Sequence, residues 1–132
     1  VRIELPWPAE NQRRNKEHLD IHARRESNSR AFYDGKMATY EGLGRQRGIF
    51  ENGIPLRVKI AFVPPDNRSR DQDNGIAMLK HYLDGIAFAL EVDDKNFKLE
   101  KALWMERDTE KKGKIILEID YAPQTDDDTS WV

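Results

Sequence analysis

The sequence predicts a single α+β domain, two helices on a small mixed or antiparallel sheet in the order β-α-β-α-β-β. Three observations lead there. The chain has 132 residues, enough for one core. Pro55 to Val63 alternates strictly, with Leu56, Val58, Ile60 and Phe62 on one face. Asp73 to Leu90 instead repeats its apolar residues at helical spacing.

Taken in order, Val1 to Leu5 alternates and stops at Pro6-Trp7-Pro8, so it reads as a short strand. Residues 9–26 are polar without helical periodicity and read as an extended arm. Ser27 or Asn28 then caps a helix that ends by Gly48, with Phe32, Tyr33, Met37 and Tyr40 as its apolar content. Gly35, Gly42 and Gly44 argue against that helix. The Pro55 to Val63 strand stops at Pro64-Pro65, and a polar loop from Asp66 to Arg70 leads into the second helix, Asp73 to Leu90. Phe97 to Arg107 and Lys114 to Tyr121 read as strands, joined by the turn formers of Asp108 to Gly113. The domain runs over 1–121. Residues 122–132, with Asp126, Asp127 and Asp128, form an acidic tail.

Composition removes several function classes. Without cysteine there is no disulfide, thiolate metal site or cysteine nucleophile. No apolar run approaches a membrane span or resembles a signal peptide, so no membrane partner and a cytoplasmic location are expected. Net charge is -2, which is not globally basic, but the charge is uneven. From Arg13 to Arg47, nine basic residues face five acids, a local +4, and the acids gather later. That separation suits phosphate binding at one place and cation binding at another. A plain solvated surface is the competing reading of such runs.

The chemistry concentrates in residues 68–97. With Asp73 at zero on a helical wheel, Lys80 and Asp84 fall within about 20° of it. Ile76, Leu79, Leu83, Ile86 and Leu90 make a separate apolar stripe. The helix thus buries one face while another carries two carboxylates and an ammonium. Asp71 and Asp73, two residues apart at the helix mouth, suit a hard cation bound through oxygen. Asp93 and Asp94 follow the helix and can fold back beside them. N-capping with solvated surface acids is the alternative for the same residues. No EF-hand loop fits, because Ile76 or Asn74 stands where glycine is required. His18 and His22 have zinc-like spacing but lack the accompanying glutamate, and His81 reads as surface. P-loop, dinucleotide fingerprint and serine elbow are absent. Trp7, Trp104 and Trp131 read as packing residues rather than base-stacking platforms.

Several stretches together resemble the RusA-type crossover-junction endodeoxyribonucleases of bacteria and their phages. They are Leu5-Pro6-Trp7-Pro8 at the start, Arg70-Asp71-Gln72-Asp73-Asn74, Lys80 and Asp84, Gly85-Ile86-Ala87, Val92-Asp93-Asp94 with Phe97 beyond, and Gly113 to Ile119. The resemblance covers most of the chain, and Arg70 to Phe97 is its specific part. It implies a homodimer, dependent on magnesium with manganese as a substitute, that resolves Holliday junctions by paired symmetric nicks in recombination or repair. It implies Asp71, Asp73 and Asp94 as catalytic metal-binding acids, with Asp93 beside them, and Lys80 as the catalytic lysine. In many members that lysine stands three residues after the Asp-Asn pair, where this chain has Ala77. Arg13, Arg14, Lys16, Arg24, Arg25, Arg68 and Arg70 are the expected DNA contacts, although Asn11 to Ser27 matches the family poorly. Two alternatives stand beside it: a nuclease for other branched DNA in phage replication or packaging, and a non-cutting DNA-binding protein on the same fold.

Overall fold

A computed structural model gives the fold and describes residues 1–8, 21–66, 77 and 79–123. The described elements are β1 (Arg2–Pro6), α1 (Ile21–Leu43), β2 (Leu56–Val63), α2 (Lys80–Leu90), a 3-10 turn (Asp94–Asn96), β3 (Phe97–Leu99), β4 (Leu103–Trp104) and β5 (Lys114–Tyr121). They form an α+β architecture with a mixed sheet. The sheet order is β1-β5-β2-β3, and β4 continues the β3 edge along β2. β5 runs antiparallel to both β1 and β2, while β3 and β4 run parallel to β2.

Alternation decides which sheet face is covered. Ile3 and Leu5, Leu56 to Phe62 at every second position, and Ile115, Leu117 and Ile119 are buried in one core. The same core holds Ala31 and Leu43 of α1 and Tyr82, Leu83, Ile86 and Leu90 of α2. Both helices therefore cover this face. The intervening residues, such as Arg57, Lys59, Glu118 and Asp120, stay half or fully exposed on the other. At the Trp7 end, Phe62 stacks on Trp104 at 4.5 Å and meets Trp7 edge-on at 6.3 Å. Two of the three tryptophans are thus packing residues; Trp131 lies outside the described residues.

The first helix corrects the sequence reading. It starts at Ile21, inside the segment expected to be an extended arm, whereas its end at Leu43 falls before Gly48 as expected. Its buried stripe is Ser27, Ala31, Gly35 and Thr39, one small residue every turn, ending on Leu43. Tyr33 and Met37, part of the helix's expected apolar content, are exposed. The glycines are part of the packing. A Cβ on Gly35 would overlap the Tyr82 carbonyl, and one on Gly85 would overlap the Phe32 carbonyl. The helices cross backbone to backbone at this reciprocal pair. Glycine inside a helix costs about 1 kcal/mol, whereas burying one large apolar side chain contributes about 1.5–3 kcal/mol. A close crossing that seals several such side chains outweighs the propensity loss.

The second helix places Leu79, Leu83, Ile86 and Leu90 in the core as their spacing predicts. Its continuous part begins at Lys80, with Leu79 in the preceding turn. The expected start at Asp73 lies outside the described residues. The single strand expected over Phe97 to Arg107 is two short ones. Between Leu99, level with Val58, and Leu103, level with Ala61, the edge spends four residues against three on β2. That extra residue is a bulge, which twists an edge and blunts it. Among the described residues no helix is long and apolar enough to cross a membrane.

Candidate acidic site and flanking cleft

The C-terminal end of α2 is closed by a Schellman arrangement. The Glu91 N–H donates to the Phe88 carbonyl at 3.2 Å and the Val92 N–H to the Ala87 carbonyl at 3.0 Å. Glu91 takes the left-handed conformation, φ 62°, that this reversal demands. Val92 then packs against the core and fixes the exit direction. Asp93 follows in extended conformation and caps the 3-10 turn. Its Oδ1 accepts the Lys95 N–H at 3.0 Å, and Lys95 Nζ lies 3.6 Å from Oδ2. The turn ends on Phe97, the first residue of β3.

This fold-back sets Asp94 against Asp84 of α2, the fourth residue after Lys80. The two neighbouring acids have opposite electrostatics. Asp93 titrates below the ordinary aspartate range, chiefly because the Lys95 backbone N–H donates to it. Asp94 titrates above that range, chiefly because its carboxyl shares a hydrogen bond with Asp84, with burial and Asp93 adding to the shift. Two carboxylates pressed together favour retaining a proton or gaining a cation between them. Asp84 also lies 3.6 Å, Oδ2 to Nδ1, from His81, which is half-exposed rather than free surface. Lys80 is exposed at the first residue of α2.

Asp84 was quoted in the sequence pattern but not assigned a site role. Its signal was its place on one helical stripe with Lys80. Asp71 and Asp73, the other expected ligands, lie outside the described residues, as do Arg13, Arg14, Lys16, Arg68, Arg70 and His18. Among the described residues no group of three or more His, Cys, Asp or Glu is placed to hold a metal ion. The donors present, Asp84 and Asp94, are all oxygen, which is the chemistry magnesium takes.

A second feature lies along the N-terminal half of α1. A cleft of about 1250 Å³ is lined by Trp7, His22, Arg25, Ser29, Tyr33 and Tyr82, among others. Arg24 and Arg25 are exposed on the first turns of that helix rather than on an extended arm. Arg30, also on the cleft, is turned to Asp34 at 3.2 Å. Burial pushes the Tyr82 hydroxyl well above its usual titration range. Helix α2 thus supplies Tyr82 to the cleft and Asp84 to the acid pair.

No family model matches the chain. Over 99 residues, 72% of this chain, it is 32% identical to a protein of Xylella fastidiosa (strain Temecula1 / ATCC 700964) described as uncharacterized. The match spans 61% of that protein's length, so the chain corresponds to less than two thirds of it.

Proposed function

We propose that the chain is a magnesium-dependent endonuclease for branched DNA, acting as a homodimer that resolves four-way junctions by paired symmetric nicks. The observation that carries this reading is the apposition of Asp94, on the turn after α2, and Asp84 within α2, with Lys80 one turn before Asp84 on the same helix. A carboxylate held above its ordinary titration range by a neighbouring acid is prepared for a cation.

In this reading Asp71, Asp73 and Asp94 hold the metal, with Asp84 supporting Asp94. When bound, the metal supplies a hydroxide nucleophile at neutral pH and stabilises charge on the scissile phosphate. Lys80 places an ammonium where negative charge grows on the phosphate, a contribution that falls on turnover more than on affinity. Asp93 keeps its neighbour oriented through the capped turn, and its salt bridge to Lys95 is exposed. Arg25 on the cleft side of α1 and the exposed Arg24 beside it contact phosphates, with Arg13, Arg14, Lys16, Arg68 and Arg70 as further phosphate contacts.

Two matched nicks need two sites, and one chain offers one acid cluster, so a two-fold dimer is the economical assembly. The bulged edge carries exposed Leu103 and Met105 and is the proposed contact. The deciding experiment incubates the purified chain with magnesium and labelled four-way junction, flap and linear duplex in parallel. Paired nicks on the junction, abolished by chelator, support the reading. Cleavage of flaps alone moves the substrate to other branched DNA. Junction binding without any cutting in magnesium or manganese sinks the enzymatic reading.

A further inference from the structure

The turn that carries Asp94 is held from outside as well as by its own cap. Its backbone is tied to a residue 41 positions earlier, in the loop between α1 and β2. Asn52 Oδ1 accepts the Asp93 N–H at 2.9 Å and the Asn96 side-chain amide at 3.0 Å. One carbonyl oxygen thus uses both lone pairs to grip the residues on either side of Asp94 and Lys95.

The loop that offers Asn52 is itself anchored. Phe50 is buried and meets the Tyr121 ring edge-on at 5.2 Å. The Glu51 N–H donates to the Tyr121 hydroxyl at 2.9 Å, and the Ile54 N–H closes the turn on the Glu51 carbonyl at 3.4 Å. A rigid line therefore runs from the end of β5, through the Phe50 loop and Asn52, to the 3-10 turn and on to Asp94. On the opposite side, α2 fixes Asp84 through its core face. Asp94 is thus held both through the α2 exit at Val92 and through Asn52, and Asp84 through α2 itself.

We propose that Asn52 is a positioning residue for the acid site. It orients the Asp93–Asn96 turn and so directs the Asp94 carboxylate toward Asp84. This rests on the reading of Asp94 as a metal-binding acid. Asn52 touches neither metal nor DNA; it acts through the Asp93 backbone. Such outer partners of a metal site commonly change metal affinity or activity by about 10–100-fold when removed.

The test compares Asn52→Ala, Asn52→Asp and Asp94→Asn with wild type. Manganese binding is followed by electron paramagnetic resonance, and the Asp93 amide by nitrogen-15 NMR in the metal-free protein. Asn52→Ala should weaken manganese binding about tenfold, shift the Asp93 amide upfield and leave the melting transition cooperative. Asn52→Asp keeps the acceptor oxygen and should restore both the Asp93 amide shift and most of the affinity. High metal should recover junction cutting by Asn52→Ala, which a loss of fold would not allow. If Asp94→Asn weakens binding while Asn52→Ala does not, Asn52 is only a loop-to-loop stitch and the proposal falls alone. If Asp94→Asn leaves manganese affinity unchanged, the metal-site reading falls and the role of Asn52 falls with it. An Asn52→Ala loss that Asn52→Asp fails to restore also overturns the proposal.

Discussion

Asp94 and Asp108 occupy comparable places, each in a short turn that leads into a strand of the same sheet, and they are held in opposite ways. Asp108 is surrounded by donors: its Oδ1 accepts the Glu110 N–H at 3.1 Å and its Oδ2 the Gly113 N–H at 3.0 Å. Its own N–H donates to the Pro64 carbonyl at 2.7 Å. Backbone donors stabilise the carboxylate form, so Asp108 titrates below the ordinary range, chiefly through Glu110 and Gly113. Asp94 faces another acid and titrates above that range. An acid that ties its own turn is satisfied by the fold. An acid pressing on its neighbour is not satisfied in that way.

The comparison breaks most visibly by substitution to the isosteric amide. Asp94→Asn should cut junction cleavage by more than about 100-fold, beyond the usual effect of a residue that only supports a ligand. Asp108→Asn should leave the rate unchanged. Single-turnover assays on a labelled junction distinguish the two, and equal losses would erase the distinction.

The next effect is on stability. Gly113 closes the Asp108 turn at φ 75°, and a Cβ there would stand 2.9 Å from Pro65 Cδ and 3.0 Å from Trp7 Cβ. Gly113→Ala should cost at least about 1–2 kcal/mol from the left-handed backbone alone, read as a lowered urea midpoint. The Asp94 turn opens on a non-glycine in the same region, Glu91 at φ 62°. Glu91→Gly should therefore gain about 0.5–1 kcal/mol; a loss would mean that its side chain is held by more than its backbone suggests.

The pH dependences should run in opposite directions. The Asp108 carboxyl is depressed in the fold, so its contribution is complete above the unfolded value, about 3.9, and disappears as pH falls through the folded value. The stability gap between wild type and Asp108→Ala should close on acidification. Asp94 is raised, so its contribution is complete below the unfolded value and is lost as pH rises through the folded one. Asp84→Asn should accordingly become relatively more stable than wild type as pH rises from 3 to 7. Carbon-13 NMR of metal-free Asp84→Asn should find the Asp94 titration moved down toward the ordinary range. Urea melts at several pH values would expose parallel behaviour of the two acids and so dissolve the contrast.

How much of this was legible in the sequence follows the range of the interactions involved. The α+β class, the strict alternation of β2, the apolar stripe of α2 and the turn at Asp108 to Gly113 depend on neighbours within a few residues, and each reads directly from the order of side chains. The first helix was harder to read, because its buried stripe is Ser27, Ala31, Gly35 and Thr39. Small residues carry almost no hydrophobic signal, so the large exposed Tyr33 and Met37 drew the eye. Gly35 reads as a helix breaker until the Tyr82 backbone is known to lie against it.

By itself, then, the sequence determined which segments could be strands and helices and where acids and arginines collect, because periodicity and charge are local properties of the chain. Only the tertiary structure decided that Asp94 meets Asp84, that Asp93 is occupied as a cap, and that Asn52 holds the turn from 41 residues away. It also decided that the Phe97 to Arg107 run breaks into two strands around a bulge. Those outcomes rest on contacts between residues far apart along the chain. Their geometry is set by how the helix crossing and the sheet register close the core, and no local pattern of side chains carries that information.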